Sequence, residues 1–290
     1  MKVLILGGQG NLGSQLVASG QQLNHEISSW DQLEVDLTDW SATEAKLANQ
    51  QPHILINAVA YNAVDACESQ PGHDLAYILN RDLVSHLAHW CREKKVTMIH
   101  YSSDYVFAGN QVSGYTETDQ PDPINEYGRS KLAGEQALIK QGEAGLNYYL
   151  IRTSKLFGPR GTGLSTKLSF FDIMLKLART ETELKGVDAE ISCFTYTPDL
   201  ARATWQLLND QLAGGIYHIV NGQPATWYQA LETLHKLAGL TIPIRPISST
   251  DLSRPAQRPR HSVLLMTKLP TLRSYTEALS EYLNNSKLIN

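Results

Sequence analysis

Residues 2–13 read Lys2-Val3-Leu4-Ile5-Leu6-Gly7-Gly8-Gln9-Gly10-Asn11-Leu12-Gly13, an apolar run that leads directly into spaced glycines. The run predicts a buried parallel strand, and the pattern that follows it predicts a helix over Leu12–Gln22. A glycine turn in this context lets the backbone approach a dinucleotide pyrophosphate, which the helix N-terminus can bind. A glycine-rich turn without a ligand is the competing interpretation. The predicted cofactor contacts in this stretch are Gly7, Gly10, Asn11, Leu12 and Gly13.

Short apolar runs alternate with helical patterns through the first half of the chain. Ser41 and Glu44 have the spacing of a capping box at the start of the second helix. This alternation is typical of a doubly wound parallel sheet, so the predicted fold class is α/β with an NAD(P)-binding Rossmann sheet. The predicted strands are Lys2–Leu6, Glu26–Trp30, His53–Asn57, Val96–Tyr101 and Asn147–Arg152, and the predicted helices are Leu12–Gln22, Ser41–Gln50, Asp74–Lys94 and Tyr127–Gln141.

Beyond Phe157 the alternation breaks into a glycine-rich loop, residues 158–163. We expect residues 1–154 and about 187–220 to form the Rossmann domain, and about 155–186 with 221–290 to form a smaller, discontinuous substrate-binding lobe. The cleft between them is the expected substrate site. Further predicted elements are helices over Phe170–Ala178, Pro198–Asn209, Tyr228–Ala238 and near Tyr275–Asn284, a strand over Gly215–Val220 and a proline-rich segment over Pro243–Pro259.

Composition and charge narrow the class of partner. The 290 residues are 42% hydrophobic and carry a formal net charge of -4, which suits a soluble globule. A basic stripe that would indicate nucleic-acid binding is absent from the sequence, and no apolar run approaches the roughly 18 residues of a membrane span. We therefore expect a cytoplasmic protein with a small-molecule partner. Cys67, Cys91 and Cys193 lack CxxC spacing and are expected to be reduced, buried thiols.

An acidic residue after the second strand commonly accepts hydrogen bonds from the adenosine ribose, and Asp31 has this position. No Lys or Arg lies between Glu26 and Asp39 to neutralise a 2′-phosphate, which favours NADH. A basic residue from elsewhere in the fold would admit NADPH, so both cofactors stay open. Asp36 and Leu37 are predicted to lie beside the adenine, with a helix cap as the alternative for Asp36.

A candidate catalytic set combines Ser103, Tyr127 and Lys131. Tyr127 and Lys131 are four residues apart, so they share a helix face, and the lysine is expected to lower the pKa of the phenol and to orient the ribose. Ser103 would donate a hydrogen bond to a substrate carbonyl. YxxxK alone is common on amphipathic helices; its order after a glycine turn and after Ser102-Ser103-Asp104-Tyr105 favours catalysis.

The chain resembles the dTDP-4-dehydrorhamnose reductase family of extended short-chain dehydrogenases over nearly its whole length. The resemblance implies reduction of the C4 ketone of a nucleotide-linked 4-keto-6-deoxyhexose, with hydride from NAD(P)H and a proton from Tyr127. It further implies cofactor contacts at Ala60, Tyr61, Asn62 and Tyr101, and sugar contacts at Val64, Ser103, Asp104 and Tyr105. The segments that carry the resemblance are residues 57–65, 100–107, 127–135, 152–154, 196–201, 215–218, 226–228 and 258–262.

Several departures from the family pattern fall where the sugar is expected. Lys155 follows Arg-Thr-Ser where the family usually has Trp, so it is predicted to contact substrate as a flexible cation. Glu190 and Phe194 lie in a segment that is Gln-x-Gly-x-Pro-Thr in the family. Gln15 occupies a position where some members carry a glutamate linked to a magnesium-bridged dimer, so no metal is expected. His86 and His89 are predicted to be a surface pair.

Three functions remain open at this stage. The simplest is reduction of dTDP-4-dehydro-L-rhamnose to dTDP-L-rhamnose. A second is reduction of another nucleotide keto sugar, or the opposite C4 stereochemistry, which the altered pocket would allow. The third is a non-catalytic regulatory subunit resembling the β subunit of methionine adenosyltransferase. The presence of Ser103, Tyr127 and Lys131 is evidence against this third function. A homodimer is one possible assembly.

Overall fold

The computed structural model describes residues 1–286, which form a six-stranded parallel sheet with helices on both faces and a smaller lobe of short strands and helices. The strands are β1 (Lys2–Leu6), β2 (Glu26–Trp30), β3 (Ile54–Asn57), β4 (Thr97–Ser103), β5 (Tyr148–Thr153), β6 (Leu156–Phe157), β7 (Leu184–Val187), β8 (Ile191–Ser192), β9 (Thr195–Tyr196), β10 (Gly215–His218), β11 (Asn221–Gly222), β12 (Ala225–Thr226), β13 (Ile244–Ile247) and β14 (Leu272–Ser274). The helices are α1 (Asn11–Gln22), α2 (Trp40–Ala48), α3 (Gly72–Tyr77), α4 (Leu83–Lys94), α5 (Glu126–Glu143), α6 (Phe170–Leu177), α7 (Thr197–Asn209), α8 (Trp227–Leu237) and α9 (Tyr275–Ser286).

The main sheet has the strand order β2-β1-β3-β4-β5-β10, and every neighbouring pair is parallel. From β1 the chain builds outward to β2 and then in the opposite direction through β3, β4 and β5. Such a reversal creates a crevice at the carboxyl ends of β1 and β3, where doubly wound sheets bind ligands. The predicted Rossmann fold class is confirmed.

Each face of the main sheet buries its own apolar layer. Leu47, Leu87 and Leu138 pack from α2, α4 and α5 on one face. Leu16 and Trp205 pack from α1 and α7 on the other, where Trp205 Nε1 also donates to the Leu16 carbonyl at 3.1 Å. Burial of apolar side chains on both faces explains why the strands read as continuous hydrophobic runs.

The smaller lobe consists of two-stranded pairs, β7 with β13, β8 with β12, β6 with β9, and β11 with β14. Its core is rich in aromatic side chains, among them Phe157, Phe171 and Phe194. Because β8 pairs with β12 rather than with the main sheet, we propose that the chain returns to the Rossmann domain near Thr197 instead of near residue 187.

The structure overturns one local prediction and refines another. Helix α2 begins at Trp40, and its cap is Asp39, whose Oδ1 accepts a hydrogen bond from the Ala42 amide at 3.1 Å; Ser41 is not the cap. The single helix predicted over Asp74–Lys94 begins at Gly72 and contains a π-helical turn, Ile78–Asp82, between α3 and α4. The proline-rich segment contains strand β13.

The three cysteines are free and buried, as predicted. Among the helices of residues 1–286, none has the length and apolar character needed to cross a membrane.

Candidate active site

The glycine turn after β1 has a conformation that its glycines require. Gly7 has φ +79°, and a Cβ on Gly13 would lie 1.9 Å from the Gly7 carbonyl oxygen. Gly10 is the N-cap of α1 without a side-chain hydrogen bond, and the first turn of α1 contains no acidic residue. The first-turn N–H groups of a helix have no intrahelical acceptor. The turn is thus shaped to receive the anionic diphosphate of a dinucleotide.

Asp31 lies beside this turn, at the end of β2. Its Oδ2 accepts a hydrogen bond from the Gln9 amide at 2.8 Å, which ties the turn to the second strand. Asp36 accepts from the Thr38 amide at 2.9 Å and from its hydroxyl at 2.7 Å, and these bonds lower the Asp36 pKa. The alternative role of Asp36 as a helix cap is also wrong, because Asp39 caps α2. Leu37 packs into the core of the sheet, and the ribose and adenine contacts stay predictions.

The segment after β3 forms the opposite wall of the crevice. A Cβ on Gly7 would lie 2.9 Å from Val59 Cγ2, so this segment lies directly against the glycine turn. Asn80, in the π-helical turn, holds the segment in place: its Oδ1 accepts from the Tyr61 amide at 2.9 Å, and its Nδ2 donates to the Tyr61 carbonyl at 3.0 Å. Asn80 was not predicted from the sequence, because an amide side chain within a helical pattern is a weak local signal.

The glycine turn, Asp31 and the segment Ala60–Asn62 all follow carboxyl ends of adjacent strands, β1, β2 and β3. The glycines leave a cradle that any Cβ would fill. The residues present therefore fit a nicotinamide dinucleotide.

Strand β4 and helix α5 bring Ser103 and Tyr127 together. The Asn125 side chain caps α5 by accepting from the Gly128 amide at 2.8 Å. A Cβ on Gly128 would lie 2.2 Å from the Tyr105 carbonyl oxygen, so the start of α5 rests on the turn that follows β4. The rings of Tyr105 and Tyr127 meet edge to face at 5.7 Å, and Tyr127 is hydrogen-bonded to Ser103.

The Ser103 hydroxyl belongs to a buried polar chain. It donates to Asp104 Oδ1 at 3.1 Å and accepts from the Tyr105 amide at 3.2 Å. Asp104 Oδ2 in turn accepts from the Ser262 hydroxyl at 2.6 Å. Asp104 is thus a buried carboxylate that orients Ser103, and Ser262 is a positioning residue to which the sequence analysis gave no role.

The electrostatics of Tyr127 and Lys131 differ from the prediction. Burial raises the pKa of Tyr127, although its hydrogen bond with Ser103 opposes this shift. Lys131 Nζ donates to the Tyr101 carbonyl at 2.6 Å, and burial lowers the pKa of Lys131 to about 8. The predicted lowering of the phenol pKa by Lys131 is not seen, because burial dominates. The phenol is protonated at neutral pH even at its ordinary pKa, and a raised pKa makes it a weaker acid, so proton transfer from Tyr127 requires stabilisation of the phenolate once cofactor and substrate are bound.

The side chain of Tyr101 points away from this set. Its hydroxyl is hydrogen-bonded to Thr204 Oγ1 on α7 at 2.8 Å, and the ring is buried against that face of the sheet. Only its backbone carbonyl reaches Lys131. A cofactor contact at Tyr101 would therefore involve the backbone.

The second lobe faces this set with Lys155, which has φ +38°, a conformation that L residues rarely adopt. Its amine contacts the Ser192 hydroxyl and lies 4.7 Å from the centre of the Trp227 ring. Burial lowers the pKa of Lys155. Phe194, by contrast, is a buried member of the lobe's core. Lys155 is half-buried and Phe194 is fully enclosed, so Lys155 is the more accessible of these two altered positions.

Glu190 is neutralised by the segment that follows β13. It forms an ion pair with Arg254 and accepts from the Ser249 hydroxyl at 2.7 Å and from Trp227 Nε1 at 3.1 Å. Burial acts to raise the Glu190 pKa, but these hydrogen bonds hold it below its ordinary value.

The same segment reaches the first domain beside Val64. Arg258 forms a two-pronged ion pair with Asp65, with distances of 2.6 and 2.7 Å. This ion pair joins the segment that follows β13 to the segment that follows β3.

Other polar groups have structural partners. The His86 ring stacks on Trp40 with centres 4.7 Å apart, and His89 lies 3.5 Å from Arg92. Within residues 1–286 no group of three or more His, Cys, Asp or Glu side chains could hold a metal ion.

Comparison with known proteins identifies the family. The profile of the RmlD substrate binding domain matches residues 1–288. The chain belongs to this family. The match confirms the family resemblance and the predicted class of enzyme, an NAD(P)H-dependent oxidoreductase.

Two relatives and one solved structure illustrate the similarity. The chain is 33% identical to a dTDP-4-dehydrorhamnose reductase of Streptomyces griseus, over 96% of this chain and 91% of that protein. It is 30% identical to a dTDP-4-keto-6-deoxy-D-glucose reductase of Streptomyces niveus, over 96% of this chain and 95% of that protein. A dTDP-4-dehydrorhamnose reductase of Bacillus anthracis, solved in complex with NADP, superposes with a TM-score of 0.88 at 29% identity and covers 98% of this chain and 99% of its own.

Proposed function

We propose that this protein reduces the C4 ketone of a nucleotide-linked 4-keto-6-deoxy sugar, with dTDP-4-dehydro-L-rhamnose as the substrate and dTDP-L-rhamnose as the product. The observation that carries the proposal is the contact between Ser103 and Tyr127 at the carboxyl end of β4, next to the dinucleotide cradle. The names of the relatives support the substrate class.

The residues have separate roles in this reaction. When substrate binds, Ser103 turns its single hydroxyl hydrogen from Asp104 Oδ1 to the ketone oxygen. Tyr127, protonated at neutral pH, gives its proton to that oxygen as negative charge develops there. Lys131 lies one helical turn further on, where its ammonium group stabilises the phenolate that remains and contacts the cofactor ribose. Reduced nicotinamide, when bound, supplies the hydride.

The cofactor is placed by the first domain and the sugar by the second. The glycine turn binds the diphosphate, and Asp31 accepts hydrogen bonds from the adenosine ribose. Val64, Tyr105 and Lys155 line the sugar site on opposite sides of the cleft. The protein acts in solution on a small molecule, without nucleic acid or membrane; a homodimer is the assembly to test.

The experiment follows oxidation of NADH and NADPH with enzymatically generated dTDP-4-dehydro-L-rhamnose and identifies the sugar product. Formation of dTDP-L-rhamnose supports the proposal. Turnover of another nucleotide keto sugar instead, for example dTDP-4-keto-6-deoxy-D-glucose, would favour the second candidate. The observation behind that candidate is Lys155, a cation at the sugar side of the cleft.

A further inference from the structure

Residues 158–168, which we call the strap, follow β6 and lie across the glycine turn. Gly163 donates its amide hydrogen to the Gln9 carbonyl at 2.9 Å, and Gly161 donates to Asn11 Oδ1 at 2.9 Å. A Cβ on Gly161 would lie 2.1 Å from the Gln9 carbonyl oxygen. The contact is therefore backbone against backbone, and the strap is the outer neighbour of the predicted diphosphate site.

Lys167 connects the strap to both walls of the cofactor crevice. Its carbonyl accepts from Asn11 Nδ2 at 2.9 Å, and its Nζ donates to Asn62 Oδ1 at 2.7 Å. Asn11 belongs to the glycine turn, and Asn62 belongs to the segment after β3. The ammonium group of Lys167 thus lies at the edge of the crevice between the two predicted cofactor-binding segments.

Apart from Lys2, at the opposite end of β1 from the glycine turn, the first two strands and α1 contain no Lys or Arg that could pair with a diphosphate. Residues 3–45 contain neither Lys nor Arg. Dipole and amide contacts at a helix start are worth more when a cation completes the site. A cation that pairs with the diphosphate would therefore come from another part of the chain, and the strap brings one, Lys167.

The ammonium group of Lys167 forms no ion pair among residues 1–286, so it is available to an anionic ligand. Its hydrogen-bond acceptor is the neutral Asn62 amide, and no carboxylate of residues 1–286 forms an ion pair with it. Partial burial of the ammonium group lowers its pKa, as is typical of a cation that has lost water without gaining a nearby anion. The side chain is exposed, so an arriving ligand can reach it.

We propose that Lys167 is a cofactor-binding residue whose ammonium group pairs with the diphosphate of the bound dinucleotide. The inference rests on the proposed function only through the dinucleotide, and not through the sugar. Because NADH and NADPH share the diphosphate, Lys167 contributes to the affinity for both and does not select between them.

The test is a fluorescence titration of the purified full-length protein with NADH and NADPH in the absence of sugar. Lys167→Met is expected to raise the Kd for both cofactors about tenfold, as loss of a charged hydrogen bond predicts. The dependence of Kd on salt concentration should also become shallower, because one charge pair is lost. Lys167→Arg should restore affinity and salt dependence, which a merely structural role of the strap would not explain.

Lys176→Met, on the exposed side of α6, is the matched control and should bind both cofactors like the wild type. Equal Kd values in the wild type and in Lys167→Met would overturn the inference and leave the proposed function intact. A wild-type chain that binds neither dinucleotide would overturn both.

Limited proteolysis of the wild type supplies a second readout. Trypsin cleaves after Arg160 and Lys167, both of which are exposed on the strap. Bound NADPH is expected to slow cleavage at these two bonds several-fold. Cleavage at an unchanged rate under saturating NADPH would contradict a strap that contacts the cofactor.

Discussion

The two sides of the cleft are built in different ways. On the cofactor side, the glycine turn, Asp31 and Tyr61 follow the carboxyl ends of β1, β2 and β3, and Ser103 is the last residue of β4; these four strands neighbour one another in one sheet. On the sugar side, Lys155, Glu190 and Arg254 come from separate chain segments outside the main sheet, and Glu190 and Arg254 meet through their side chains. In the proposed reaction, the residues of the chemical step lie on β4 of the main sheet and on α5, which packs against it, whereas the residues proposed to contact the sugar lie on segments outside the sheet.

The largest expected effect tests the cofactor side. Tyr127→Phe removes the proton donor, and we expect turnover to fall at least about 1000-fold while the Kd for NADPH stays nearly unchanged. Steady-state kinetics and a fluorescence titration measure the two quantities. Tyr228→Phe, on α8, is the control; a Tyr127→Phe variant with substantial turnover would disprove the assigned proton donor.

The buried lysine gives a pH-dependent difference in stability. The pKa of Lys131 is lowered from 10.5 to about 8 by burial, so the unfolded chain binds more protons between these pH values and stability rises with pH. The free energy of unfolding of the wild type, minus that of Lys131→Met, should increase by ~3 kcal/mol from below pH 8 to pH 10.5. Urea denaturation across this range measures it. A flat difference would show that Lys131 keeps its ordinary pKa.

Ser103 tests whether the polar chain at the end of β4 acts on the ketone. Ser103→Ala should lower kcat about 100-fold through loss of one hydrogen bond to the developing oxyanion. Ser103→Thr keeps the hydroxyl and should retain most of the activity. Equal losses in both variants would instead indicate that packing around Asp104 was disturbed.

Lys155 tests the sugar side and has the smallest expected effect. Lys155→Met removes the charge at similar length, and we expect the KM for the nucleotide sugar to rise about tenfold with the Kd for NADPH unchanged. Kinetics at saturating cofactor give the first value, and direct titration gives the second. A change of similar size in the Kd for NADPH would contradict the assignment of Lys155 to the sugar side alone.

Local sequence predicted the cofactor side because its signals are close together in the chain. The glycine spacing and the four-residue step from Tyr127 to Lys131 are set by a single turn and a single helix. The predicted cap of α2 was wrong because the sequence offers two candidates. Ser41 and Glu44 have the spacing of a capping box, and Asp39 is also a good capping residue. Only the observed start of the helix at Trp40 shows that Asp39 is the cap.

The sugar side was beyond local prediction because its contacts join distant residues. Ser262 bonds to Asp104 across 158 residues, and Arg254 pairs with Glu190 across 64. Neither Ser262 nor Arg254 stands in a local sequence pattern that indicates such a partner. The raised pKa of Tyr127 likewise follows from burial by surrounding segments, which the spacing to Lys131 does not reveal.

The most direct test of the proposed reaction is transfer of deuterium from NADPH labelled at nicotinamide C4 to dTDP-4-dehydro-L-rhamnose, followed by NMR of the product. Two samples of NADPH are used, each with deuterium in place of one of the two hydrogens at nicotinamide C4. One of the two samples should place deuterium at C4 of dTDP-L-rhamnose. Cofactor binding without transfer from either labelled cofactor would contradict the proposed reduction.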